Sequence, residues 1–212
     1  MLCSQCQGIE DTFNEERAND ELKNYRKQGP SKQTRILLDA IKERGVSGLT
    51  LLDIGGGVGA IQHDLIKAGV GQVIDVDASS SYMKAAREEA ERLGLQDRIE
   101  FQHGNFVDLA PQIEPVDIVT LDRVICCYHD MVSLVGLSSQ RAGRLYGVIY
   151  PQDQWWTRGG VRIANFFLNL MKDPFRIFIH SAAQIEEIVT GNGLQRVFHK
   201  NVGMWQVILY AR

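Results

Sequence analysis

Leu51-Leu52-Asp53-Ile54-Gly55-Gly56-Gly57-Val58-Gly59-Ala60 is the stretch that decides the fold of this chain. An apolar run that ends in an acid and meets glycines at once reads as a buried strand turning sharply into a helix. Glycine has no Cβ, so such a turn can take positive φ and let a bound molecule lie against bare backbone at a helix start. A nucleotide-type cofactor is the first function this suggests. The glycines alone fit more than one such ligand. Gly55-x-Gly57-x-x-Ala60, with an acid about 20 residues further on, satisfies the permissive dinucleotide fingerprint. Gly55-x-Gly57-x-Gly59 preceded by Asp53 is a second pattern, and the rest of the chain has to choose between them.

Working outward, strand and helix alternate. Gln72–Asp77 reads as a strand, Ser79–Leu93 as a helix stopped by Gly94, and Arg98–His103 as an alternating strand. Val116–Leu121 is a buried strand, Met131–Ala142 a helical stretch, and Leu145–Tyr150 another strand. Connections of helix length between successive strands demand a mostly parallel sheet covered on both faces. The end breaks the rhythm. After a helix at Ala182–Thr190, the strands Gln195–Lys200 and Met204–Tyr210 are so close in sequence that they pair antiparallel. Before the glycine turn, Phe13–Lys27 is rich in helix formers and stopped by Gly29-Pro30, and Ser31 caps a second helix with an apolar face of Ile36, Leu37, Ala40 and Ile41. The expected organisation is a loose tail over residues 1–12, then a single domain over 13–212 with N-terminal helices at 13–45.

A chain of 212 residues, 44% of them hydrophobic, suits one such domain. A net charge of −3 and a pI near 6.0 give no electrostatic footprint for nucleic acid. No apolar run approaches the roughly 20 residues of a membrane span, and the polar, acidic start lacks a signal core, so a cytoplasmic protein is expected. The cysteines form two close pairs, Cys3-x-x-Cys6 and Cys126-Cys127. Neither pair supplies the four ligands of a structural zinc site, and no metal is expected.

Four motifs in order now choose the cofactor. From about Thr50 to Arg212 the chain resembles class I S-adenosylmethionine-dependent methyltransferases. Asp53-Ile54-Gly55-Gly56-Gly57-Val58-Gly59 is similar to their first motif, and Val73–Asp77 to the second strand, which ends in the acid that binds ribose. Gly104-Asn105-Phe106 stands where the family commonly has Gly-Asp-Ala, and Val116–Val124 resembles the fourth strand and its exit. The resemblance implies an α/β, Rossmann-like, doubly wound sheet of seven mostly parallel strands with an antiparallel C-terminal pair, and S-adenosylmethionine as cofactor.

It also implies roles. Asp77 accepts hydrogen bonds from the ribose hydroxyls, each such charge-assisted bond contributing about 1.5–3 kcal/mol. Asp75, two residues earlier on the same face, is the alternative. Asn105 accepts from the adenine amino group and Phe106 supplies a ring edge or an amide. Asp53 with Gly55, Gly57 and Gly59 forms the loop, and Leu121 and Asp122 meet the methionine end. Methyl transfer to an already electrophilic sulfonium needs mainly orientation and a dry pocket. A base is required only for a protonated acceptor, and Tyr128, His129 and His180 are the candidates.

Residues 151–180 read as a hydrophobic cap insertion. Plotted as a helix, 161–171 leaves a thin polar stripe of Arg162, Asn165 and Asn169, with apolar side chains filling the remainder. Such a surface requires covering by the sheet, a substrate, a membrane or a second subunit. Trp155, Trp156 and Phe167 are the expected acceptor-pocket residues, and the 161–171 helix is the candidate homodimer surface. The Asp122–Tyr128 stretch and this insertion are similar to magnesium-protoporphyrin O-methyltransferases. The reading is a methyltransferase of a small, apolar or aromatic molecule. Its rivals are a nicotinamide-dependent oxidoreductase and a non-catalytic S-adenosylmethionine-binding or dimerising protein.

Overall fold

The computed structural model describes residues 4–212, with side chains described from Gly8 onward. The strands are β1 (Thr50–Ile54), β2 (Gln72–Asp77), β3 (Ile99–His103), β4 (Val116–Asp122), β5 (Ala142–Pro151), β6 (Gln195–Val202) and β7 (Trp205–Ala211). They form one seven-stranded sheet in the order β3-β2-β1-β4-β5-β7-β6. β1 to β5 are mutually parallel, and β7 runs antiparallel to both β5 and β6. The expected sheet and its antiparallel finish are both present. The order reverses between β1 and β4, so the carboxyl ends of those strands flank the crevice where an open α/β sheet binds ligands.

The helices before the sheet are α1 (Ser4–Thr12), α2 (Glu15–Gln28) and α3 (Lys32–Lys42). The helices between strands are α4 (Ala60–Lys67), α5 (Ser80–Leu93), the short α6 (Phe106–Leu109), α7 (Met131–Arg141), α8 (Trp155–Leu170) and α9 (Ala182–Gly191). Two cores flank the sheet. Leu37, Ile41, Leu51, Leu65, Ile118 and Leu209 build one beneath α3 and α4, and Leu52, Val119, Leu134, Tyr146, Ile185 and Tyr210 the other beneath α7 and α9. A third cluster of Ala18, Leu22, Val58, Tyr82 and Ala85 fastens α2 to α5 over the glycine turn.

Residues 4–12, expected as a loose tail, instead form α1. Tertiary contacts outweigh its weak helical pattern. Glu10 accepts hydrogen bonds from the Ser80 amide (3.0 Å) and hydroxyl. A Cβ at Gly8 would lie 2.9 Å from the Phe175 nitrogen, so helix and cap backbone pack closer than any other residue permits. The Cys3-x-x-Cys6 pair lies outside the described side chains.

Candidate active site

The first link is local. β1 ends at Ile54 and the chain turns through Gly55 (φ 66°), Gly57 (φ 60°) and Gly59 (φ 82°) into α4. These left-handed conformations cost a non-glycine residue about 1–2 kcal/mol each. Contacts add to this. A Cβ at Gly55 would sit 2.5 Å from Val124 Cγ2, and one at Gly56 would run into the Gln62 amide and the Asp75 carboxylate. At Gly57 the nearest atom is Tyr82 Cδ1 at 3.8 Å. That position is open, and a side chain there would occupy the cavity that the turn lines.

The cavity has a volume of about 660 Å³ and lies at the carboxyl ends of β1, β2 and β4, within the usual range for ligand sites. Asp77, the last residue of β2, faces it. Its Oδ2 accepts from the Gly57 amide (3.1 Å) and its Oδ1 from the Ser79 amide (2.8 Å). Burial pushes Asp77 up to about 6, and those two amides hold it from rising further. Asp75 is fully buried beneath the loop and does not line the cavity, so of the two acids Asp77 is the one at its wall.

Asn105 and Phe106 both line the cavity. Asn105 is the N-cap of α6: its Oδ1 accepts from the Val107 amide (3.3 Å) and its Nδ2 donates to Asp108 (3.0 Å). The side-chain carbonyl expected to accept from adenine is therefore engaged in capping. Asp53 touches the cavity from below. Thr120 donates to its Oδ1 at 2.7 Å, and burial raises it to about 7.

At the β4 exit, Asp122 accepts from the Thr34 hydroxyl (2.6 Å) and from Arg123 Nε (2.9 Å). Arg123 reaches Glu21 at 4.0 Å, and Glu21 accepts from the Tyr82 hydroxyl at 2.8 Å. This chain of polar groups frames one end of the cavity. The sequence reading assigned no site residue to α2 or its lead-in, where Phe13, just before the helix, and Arg17 and Glu21 within it line the site at intervals of four residues. That spacing puts Arg17 and Glu21 on one helix face and was the available signal. Arg17 lies over the Phe13 ring, 4.9 Å from its centroid.

Other expected residues fall elsewhere. Leu121 is buried in the core, because strand alternation points it away from the face that carries Asp122. Gly59 turns the chain but does not line the cavity. Of the three base candidates, Tyr128 lines it and His129 and His180 do not. His180 Nε2 sits 2.9 Å from the Tyr128 carbonyl, its ring stacks on Phe178, and burial lowers its pKa. His129 is exposed beside the α7 cap Asp130. Trp156 lines the cavity. Trp155 and Phe167 point outward at 83% and 54% exposure, since their places on α8 face away from the sheet. The inner side of α8 instead presents Thr157, Gly160, Val161 and Ala164, opposite Phe175, Ile177, Met204 and Trp205. Cys126 and Cys127, with sulfurs 3.8 Å apart, close the loop after β4 beside the cavity. Among the described residues no three side chains are grouped to hold a metal.

Fold and site together define a methyltransferase of class I. Residues 46–198 match the model of a methyltransferase-domain family, and the chain belongs to that family. Membership of a methyltransferase-domain family favours methyl transfer over the nicotinamide-oxidoreductase reading. Over 107 residues it is 31% identical to the ubiquinone biosynthesis O-methyltransferase of Azorhizobium caulinodans, a match covering 50% of this chain and 40% of that one. Over 86 residues it is 34% identical to the tRNA 5-carboxymethoxyuridine methyltransferase of Escherichia coli, covering 40% and 33%. The matches thus span well under half the length of these curated relatives. Among solved structures, magnesium protoporphyrin IX methyltransferase from Synechocystis superposes with a TM-score of 0.72 at 19% identity, covering 96% of this chain and 98% of that one.

Proposed function

We propose that this enzyme methylates a small, predominantly apolar acceptor held between the glycine turn and the inner face of α8. The observation that carries the reading is that one cavity joins two chemically distinct halves. The polar half holds Gly55–Gly57, Asp77, Asn105, Asp122 and Arg123. The apolar half is walled by Trp156, Val161, Ala164, Phe175, Ile177 and Trp205. A nucleoside with a charged tail suits the first, and an apolar ring or chain suits the second.

The residues present fit S-adenosylmethionine, because the open position at Gly57 makes a cradle beside a carboxylate already oriented by two amides. Asp77 would hold the ribose hydroxyls, Phe106 would border the adenine, and Arg17 and Arg123 are the cations available to the methionine carboxylate. When bound, the cofactor supplies a sulfonium methyl group that is itself the electrophile. The protein's contribution is to align an acceptor atom with that methyl and to exclude water, and these account for much of the acceleration. Where the acceptor carries a proton, Tyr128 is the titratable side chain placed to take it among the three base candidates. The relatives' names include enzymes of ubiquinone, tRNA and ribosomal protein L11, and the apolar wall favours the first kind of acceptor.

The test is transfer of labelled methyl from S-adenosylmethionine to a panel of apolar phenols, thiols and carboxylates, with bulk tRNA and ribosomal protein L11 alongside. Turnover is expected on the small apolar acceptors. Labelling confined to tRNA or protein would overturn the proposal.

A further inference from the structure

Helix α8 has a second apolar face that the cavity does not use. Of its sixteen residues only Thr157 is buried. At 100° per residue, Trp155, Phe166, Leu170, Ile163 and Phe167 fall within one arc of roughly 120°. All five are exposed, Trp155 at 83%, Phe166 at 65% and Leu170 at 70%, and Met171 continues the surface at 68%. Nothing in the fold of the described residues covers them. Single exposed apolar residues are ordinary, whereas a contiguous aromatic and aliphatic patch marks a binding surface.

We propose that this outer face of α8 docks the enzyme onto an anionic lipid surface, the helix lying in the plane of the interface. Three features choose a lipid surface over a second copy of the chain. Residues 151–180 carry four cations (Arg158, Arg162, Lys172, Arg176) against two acids (Asp153, Asp173), a net +2 in a chain of net −3. Arg158 is paired with Asp153. Arg162, on the polar stripe with Asn165 and Asn169, borders the apolar arc where lipid headgroups would lie. Two copies apposed through α8 would bring those cation-rich edges side by side. Finally, the outward Trp155 starts the helix, and an indole ring favours the headgroup boundary, being apolar with one polar handle. No helix among the described residues is long and apolar enough to cross a membrane, so the mode is surface attachment. Inner residues of the same helix wall the cavity, so docking places the apolar half of the site next to the lipid. The delivery of acceptor by that route rests on the apolar-acceptor reading; the docking does not.

The whole protein should co-sediment with vesicles of equal parts phosphatidylcholine and phosphatidylglycerol, and at least tenfold less with phosphatidylcholine alone. Substituting Ile163→Ser, Phe166→Ser and Leu170→Ser together should weaken anionic-vesicle partitioning by more than tenfold. S-adenosylmethionine binding, measured by calorimetry, should stay unchanged in that variant and so report an intact fold. Arg162→Glu with Lys172→Glu should weaken binding to the anionic vesicles only. Absent co-sedimentation, or co-sedimentation indifferent to the triple substitution, would overturn the proposal. So would a stable dimer in light scattering that the triple substitution dissociates, because the face would then belong to a second copy. Vesicle binding without methylation of any apolar acceptor would leave docking standing and remove the acceptor reading.

Discussion

Asp53 and Asp75 stand opposite one another in the parallel register of β1 and β2, both fully buried beneath the glycine turn. Asp53 accepts from the Thr120 hydroxyl, and the Gln62 side chain lies beside both acids. Burial raises both, Asp53 to about 7 and Asp75 well above its ordinary range, and the neighbouring carboxylates push the same way. The folded state therefore keeps protons that the unfolded chain releases near pH 4. The stability this confers is complete below that pH and is lost as the pH rises, for Asp53 through about 7.

Asp75→Asn tests this relationship. An amide cannot ionise, so the variant should lose the part of the decline above about pH 4 that Asp75 contributes and gain stability relative to the wild type as the pH rises. Urea unfolding across that range is the measurement. Parallel pH profiles for the two proteins would mean that Asp75 does not carry the protonation.

Asp77→Ala should weaken S-adenosylmethionine binding by about tenfold or more, the loss of one or two charge-assisted acceptors. The pH dependence is the sharper readout. Ribose hydroxyls donate best to an ionised carboxylate, so affinity should be flat above about pH 6 and fall below it as Asp77 protonates. Asp77→Asn keeps one acceptor oxygen, for the Gly57 or the Ser79 amide, and sets an NH2 donor against the other, so the loop keeps only part of its anchor while that pH dependence disappears. Calorimetric titrations of all three proteins at several pH values separate charge from loop geometry.

Gly57 and Gly59 share positive φ but face different surroundings, so alanine should act differently at each. At Gly59 a Cβ would lie 2.5 Å from His63 Cε1, and His63 is fully buried and has no room to yield. Gly59→Ala should cost about 2–4 kcal/mol of stability from strain and overpacking together. At Gly57 the new methyl meets only Tyr82 at 3.8 Å and otherwise enters the cavity. Gly57→Ala should cost about 1–2 kcal/mol of stability from backbone conformation, yet should lower cofactor affinity more than Gly59→Ala. Thermal melts and binding titrations on the pair check the ordering, and the reverse order would remove Gly57 from the cradle.

The sheet was legible in the sequence because each strand carries its own signal: continuous apolar runs at Leu51–Ile54 and Val116–Leu121, alternation at Ile99–His103, glycine stops between them. Asp77 was legible because a strand-terminal acid faces the ligand edge. What failed depended on long-range packing. α1 forms because Ser80 and Phe175, far along the chain, receive it. The outward turn of Phe167 depends on where α8 sits against the sheet, which its periodicity does not contain. Asn105 does line the cavity, and its second role as the cap of α6 was not legible because so short a helix leaves little periodic signal. His180 was singled out for its chemistry, whereas its place is under the Tyr128 backbone. α2 was recognised as a helix, and its Arg17 and Glu21, with Phe13 just before it, were passed over because no motif marks them.

Arg123 supplies the last prediction. It holds φ at 62° immediately after β4, a conformation that costs a residue with a Cβ about 1–2 kcal/mol. The chain maintains it through the Arg123 amide, which donates to the Ile149 carbonyl at 2.8 Å, and through the Asp122 carboxylate at 2.9 Å from Nε. Backbone held in so unfavourable a state beside a cavity points to a side chain needed there. Arg123→Gly relieves the strain while deleting a partly exposed ion pair, two effects of opposite sign and similar size. Stability should therefore change by less than about 1 kcal/mol. If the guanidinium faces the carboxylate end of the cofactor, affinity for S-adenosylmethionine should fall severalfold in the same variant. Decarboxylated S-adenosylmethionine, which lacks the carboxylate, should bind the two proteins alike. Equal losses for both ligands would assign Arg123 to loop geometry instead of charge recognition.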